Sequence, residues 1–158
     1  MKKSEAKEFF ISLVPSSFTF ANILIPDDLQ AMQLVIDSFL NIFLSEKPAI
    51  ASLLQQGHVK NFDKSEIKIY FRPFLWKKIY ELGKKRSLEV SVNFDFHNNR
   101  KNLKKQKFFK LPLNERVALY LIHQENISIQ EASLIMDLPK HEIYSSIHRG
   151  QREIQASQ

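Results

Sequence analysis

The sequence predicts an all-α protein with two small helical domains, over residues 1–87 and 108–158, joined by an extended basic linker over residues 88–107. Three observations carry that prediction. Apolar residues recur at helical steps of three, four and seven through both ends of the chain. Only three glycines stand in 158 residues, too few for the tight hairpins of a small all-β fold. No cysteine is present, which excludes a disulfide scaffold, a thiolate metal site and a Cys nucleophile together. With 44% hydrophobic residues, the chain carries too much apolar surface for a disordered segment.

The first element follows the basic stretch Met1 to Lys7, where Phe9, Phe10, Ile11, Leu13 and Val14 suit an amphipathic helix. Glu5 and Glu8 interrupt the basic stretch and no small-residue cleavage pattern follows, so a signal peptide is disfavoured. Pro15, Ser16, Ser17, Pro26 and Asp37 keep every apolar run short of the ~18 to 20 residues of a membrane span. The expectation is a cytoplasmic protein without a membrane partner.

A second helix is announced by Pro26, Asp27 and Asp28, either aspartate being a suitable cap. Leu29, Met32, Leu34, Val35, Phe39, Leu40, Ile42 and Phe43 then give it a broad apolar face. Residues 45–64 read as a connection with one short helix near 50–55. From Ser65 to about Lys85, Ile67, Tyr70, Phe71, Phe74, Leu75, Ile79 and Leu82 mark a third helical pattern. Pro73 inside it predicts a kink or a split. Leu88 to Phe96 alternates apolar and polar residues, but a lone strand has no partner, and it reads as extended linker running on into the basic stretch His97 to Lys107.

The last third reads as three helices. Pro112 suits the start of one running to about His123, Ser128 with Glu131 has capping-box spacing, and Pro139 opens the last helix, which reaches about Ile154. Only Asp137 and Leu138 separate Met136 from Pro139, so a short helix, a tight turn and a longer helix form a helix-turn-helix. Asp137 stands where the turn wants a left-handed residue, and Asp tolerates that region. Ala132 and Ser133 are small where the helices cross, and Leu138, Ile143 and Ile147 point the last helix onto its neighbours. Lys140, His141, Tyr144, Ser145, His148 and Arg149 are thereby left outward, where a recognition helix carries base and phosphate contacts.

Charge is unevenly spread. Residues 1–59 and 111–158 each carry net −2, whereas residues 60–110 carry +10. That central block, with Lys84, Lys85 and Arg86 and then Arg100, Lys101, Lys104, Lys105, Lys107 and Lys110, is the footprint expected for a phosphate backbone. Chemistry is excluded on other grounds. Gly57, Gly83 and Gly150 stand too far apart for a phosphate-cradling loop, the five His show no metal-ligand spacing, and no carboxylate pair or Ser-centred motif stands out. The sequence therefore predicts a protein that is not an enzyme and needs neither metal nor cofactor.

Taken together, these residues resemble a bacterial sigma factor of the small extracytoplasmic-function type. Leu111-Pro112-x-x-x-Arg116, Leu119, Leu121-Ile122, Ser128-Ile129-Gln130-Glu131-Ala132, Leu138, Ile143, Ser145 and Ile147-His148-Arg149 are similar to the region that recognises the −35 promoter element. Asp28, Leu34-Val35, Asp37 and Phe39-Leu40 resemble the helix that docks on the polymerase clamp, which implies Gln33, Leu34, Asp37 and Leu40 as polymerase-binding residues. Phe71-Arg72-Pro73-Phe74-Leu75-Trp76-Lys77 is similar to the basic, aromatic helix that meets the −10 element. The resemblance implies core RNA polymerase and promoter DNA as partners, with an anti-sigma or other regulatory protein as a further one.

Physics agrees with that assignment. Holding unstacked bases takes aromatic faces with cations beside them. Arg72, Trp76, Lys77, Tyr80 and Lys84 supply both for the −10 region, with Trp76 and Tyr80 expected exposed and the remaining aromatics in the core. Arg100, Lys101, Lys104, Lys105 and Lys107 would contact phosphates from the linker. A second reading stays open: a sigma-like adaptor that binds a protein or small ligand without promoter-specific DNA binding. Gln33 and Ile36 in the docking helix, Tyr144 and Ser146 in place of bases, and the long connection 44–64 favour it.

Overall fold

The computed structural model describes residues 3–45, 64–89 and 103–156, and every regular element among them is helical. The elements are α1 (Lys3–Leu24), α2 (Asp28–Ser45), α3 (Lys64–Glu89), α4 (Leu103–Lys110), α5 (Leu113–Leu119), α6 (Ile129–Met136) and α7 (Lys140–Gln155). A π-helical turn, Tyr120–Gln124, continues α5 directly.

Local chemistry sets the boundaries. Asp27 caps α2, its Oδ1 accepting the Gln30 N–H at 2.8 Å. α1 runs through Pro15 and α3 through Pro73 without a break, so the split expected at Pro73 does not occur. Packing of α3 on both sides outweighs the hydrogen bond that the proline removes. Ser128 Oγ accepts the Glu131 N–H at 3.2 Å to open α6. Asp137 closes it in the left-handed region, at φ 51° and ψ 44°. The turn is tied by Leu138 N–H donating to the Ser133 carbonyl at 3.2 Å and by Ser133 Oγ donating to the Leu138 carbonyl at 2.5 Å.

The linker differs from its extended reading at both ends. Leu88 and Glu89 close α3, and Leu103 onward belongs to α4, a helix whose C-terminal Lys107 and Lys110 suit its dipole. The strand-like residues 90–96, the short helix near 50–55, Arg100 and Lys101 lie outside the described residues.

α1, α2 and α3 pack on one another, and α7 packs on both α5 and α6, with the π-turn that continues α5 touching α6. α3 is shared between the two groups, packing on α1 and α2 with one side and on α6 with another, while α1 also touches α5. Gly83 permits the first of these crossings. A Cβ at that position would lie 3.0 Å from Leu24 Cδ1 and 3.1 Å from Leu34 Cδ2.

Candidate nucleic-acid interface

α7 is held by its inner face. Ile143, Ser146, Ile147 and Gly150 are buried, and Ala132 of α6 is fully buried at the crossing. The helix therefore turns Lys140, His141, Tyr144, His148 and Arg149 to solvent, with Ser145 half-buried at the edge. Two of these are tethered. Arg149 Nε donates to Glu115 Oε1 at 3.0 Å and its Nη2 to Ser146 Oγ at 3.3 Å. Lys140 Nζ donates to Gln130 Oε1 at 3.4 Å. Glu115 is 5% exposed, so Arg149 both faces outward and neutralises a buried carboxylate.

The α3 residues are placed otherwise than the sequence suggested. Trp76 is fully buried and Tyr80 is 2% exposed, which corrects the expectation that both face solvent. The cause is tertiary: α3 is packed by α1 and α2 and also by α6, and Arg72 and Tyr80 meet Glu125 and Asn114 of the C-terminal part while Trp76 lies between Phe20 of α1 and Tyr120. Trp76 stacks on Phe20 of α1, centroids 4.7 Å apart at 17°, and Tyr120 lies 6.4 Å from it. Tyr80 donates to Asn114 Oδ1 at 2.7 Å, and burial pushes its phenol up to about 12.

The cations beside these rings meet C-terminal acids. Arg72 lies 4.9 Å over the Trp76 ring and its Nη1 is 3.8 Å from Glu125 Oε2. Lys77 Nζ is 3.4 Å from Asp137 Oδ1. Lys84 is exposed, with its ammonium 6.0 Å from the Tyr80 ring. Phe74, taken in the sequence as core, is 57% exposed. A residue two places from Trp76 lies on the opposite side of a helix, so the exposure of Phe74 follows from the burial of Trp76.

On α2, Leu34 is fully buried against the Gly83 crossing, which removes it from the expected docking surface. Gln33 and Leu40 are exposed, and Asp37 accepts from Gln33 Nε2 at 2.8 Å and from Arg86. The Arg86 hydrogen bond holds the Asp37 carboxyl below its ordinary range. Beside them, Leu29, Met32, Ile36 and Leu40 form an exposed apolar line with the three- and four-residue steps of one helix face, a feature that marks partner surfaces. Of the linker cations, Lys104, Lys105 and Lys107 ride on α4 rather than on an extended chain. Among the described residues, no group of three or more His, Asp or Glu is placed to hold a metal, and no single helix is long and apolar enough to cross a membrane.

This helical arrangement is similar to that of the sigma factor RpoE from Bartonella quintana, solved in complex with the anti-sigma factor NepR. The likeness has a TM-score of 0.61 at 18% sequence identity and covers 96% of this chain and 95% of that one. The chain has a sigma-factor-like fold. No family model matches the chain, and no curated protein matches it. Because the sigma-like likeness runs through both groups of helices, it does not rest on the helix-turn-helix alone, a motif shared by many unrelated folds.

Proposed function

We propose that this chain is an alternative sigma factor of the extracytoplasmic-function type, which binds core RNA polymerase and directs initiation at specific promoters. The observation that carries this reading is the α6–α7 unit within a sigma-like fold: a left-handed Asp137 turn sets a helix whose outer face offers Lys140, His141, Tyr144, Ser145, His148 and Arg149. Those side chains would read the −35 element, with the α3 cations Arg72, Lys77 and Lys84 meeting the −10 element beside the buried Trp76 and Tyr80. Gln33, Asp37 and Leu40 on α2 would face the polymerase, and the apolar line beside them suits a large protein partner. Lys104, Lys105 and Lys107, with Arg100 and Lys101, would follow phosphates. Net −2 over residues 111–158 is tolerable in this setting, because tethering to polymerase supplies effective concentration in place of intrinsic affinity.

The reading places the protein in the cytoplasm, as a regulator and not an enzyme, and an anti-sigma protein becomes a natural partner by analogy with the RpoE complex. The test is a titration against core polymerase followed by template-dependent transcription. Binding with initiation at discrete start sites is expected; absence of core binding ends the reading. Burial of Trp76 and Tyr80 gives one specific point in favour of a sigma-like adaptor, which would capture a protein partner yet show no promoter-specific DNA binding at moderate salt.

A further inference from the structure

Arg149 faces outward over a carboxylate whose presence stability alone does not explain. Glu115 on α5 is 5% exposed, and its Oε2 is buried without a hydrogen-bond partner among the described residues. Burying a charge in this way costs free energy, and an apolar side chain of similar volume would fill the place at less cost. Gly150 brings α5 and α7 close enough for the contact, since a Cβ there would lie 3.3 Å from Glu115 Cβ. The carboxylate then directs its other oxygen to Arg149, accepting from Nε at 3.0 Å. Arg149 Nη2 donates to Ser146 Oγ at 3.3 Å, and Ser146 is 1% exposed. Two buried acceptors thus hold one edge of a guanidinium that belongs to a side chain 53% exposed.

We propose that Glu115 and Ser146 are positioning residues for Arg149, which make it the reader of one guanine. A guanidinium is planar and carries its five N–H donors in a rigid fork. With Nε and one N–H of Nη2 bonded to the protein, the remaining fork is Nη1 with the second N–H of Nη2. Paired with the O6 and N7 acceptors of guanine in the major groove, such a fork makes the commonest specific contact to DNA. A guanidinium free to turn would meet phosphates as readily as bases, and phosphate contacts carry no sequence information. Glu115 therefore sets discrimination without touching DNA itself. This inference rests on the −35 reading of α7.

The experiment selects bound duplexes from a random-sequence DNA pool with core RNA polymerase carrying the full chain or its variants, and reads base preference position by position. The wild-type chain should enrich guanine at one position where Arg149→Ala does not. Glu115→Leu, which keeps the volume and removes the acceptor, should lower that guanine preference roughly ten-fold and leave the other positions as they were. Glu115→Gln, which keeps an acceptor for Nε, should retain it. In the Arg149→Ala background, Glu115→Leu should change the selected sequences no further, because its effect passes through Arg149. An unchanged guanine preference in Glu115→Leu, or an equal loss at every position, overturns the positioning role. Arg149→Ala weakening all sequences alike overturns it too, by placing Arg149 on phosphate. A wild-type complex that binds core polymerase but selects no sequence sinks the −35 reading, and this inference with it. If circular dichroism shows that Glu115→Leu has lost helix, Ser146→Ala, which removes the second anchor, is read in the same way.

Discussion

The Arg116 guanidinium donates a hydrogen bond at 3.0 Å to the carbonyl of Leu24, 92 residues earlier in the chain, at the C-terminal end of α1. A second bond reaches the Phe109 carbonyl at 2.8 Å, and the guanidinium lies 5.7 Å from the Phe109 ring centroid. One buried cation thus closes the end of α1, α4 and α5 onto one point, where its charge also suits the helix dipole. Burial lowers its pKa to about 10, the sign that holding the charge out of water carries a net cost.

Arg116→Ala is therefore expected to destabilise the chain by about 2–4 kcal/mol, because two carbonyls lose a charged donor and a buried volume empties. Urea unfolding followed through Trp76 measures it. Arg116→Lys should recover only part of the loss, since one ammonium does not reach two diverging carbonyls as a planar fork does. A wild-type midpoint for Arg116→Ala would show that the Leu24 and Phe109 bonds contribute nothing.

Gly83→Val should cost roughly 1–3 kcal/mol by overpacking. Its branched side chain would enter the gap where a single Cβ already approaches Leu24 Cδ1 to 3.0 Å and Leu34 Cδ2 to 3.1 Å. Thermal melts compare it with Lys85→Val, an exposed position two residues further along the same helix. Equal melting points for the two variants would mean that α1 and α2 do not close on α3 at Gly83.

Stability should fall as pH rises between 10 and 12 through Tyr80. Its phenol titrates near 10.0 when unfolded and at about 12 when folded, so in that window the folded chain holds a proton that the unfolded chain has released. The contribution is complete below pH 10 and is lost across the window, a loss of roughly 2 kcal/mol or less. Arg116 acts in the opposite direction above about 10, so the comparison must be with Tyr80→Phe. The variant loses the Asn114 bond at every pH, and the difference between the two proteins should shrink across the window. A constant difference would contradict the burial of the phenol.

Lys140 and Arg149 should behave differently on removal although both face outward. Lys140→Ala should leave the melting point unchanged within about 0.5 kcal/mol of stability and lower the salt slope of binding to duplex DNA by about one. Arg149→Ala should also destabilise, by about 1–3 kcal/mol, because Glu115 would keep a buried carboxylate without its cation. Paired melting curves and salt titrations separate the two. Identical behaviour would mean that the Glu115 bond is idle.

The helix-turn-helix was legible because its determinants are local. The Ser128 cap, the left-handed Asp137 and the buried Ile143 and Ile147 each depend on neighbours within about one or two turns, and spacing records such relations. The same holds for the Asp27 cap on α2. The π-turn at Tyr120–Gln124 left no such mark, since nothing in its residues separates it from the α-helix that precedes it. Leu34 was misplaced for a related reason: it and Leu40 share an apolar helix, and only the approach of Gly83 shows which of them the core takes.

Sequence by itself determined the all-helical class, the helix caps, the turn geometry of the recognition unit and the concentration of positive charge in the middle third. Tertiary structure alone decided that α3 would be covered on a second side, burying Trp76 and Tyr80 and bringing Glu125 and Asp137 to Arg72 and Lys77. The physical reason is range. Helix periodicity records that a face is apolar or aromatic, but a base and a neighbouring helix satisfy such a face equally well, and the choice between them rests on contacts 34 to 60 residues away along the chain.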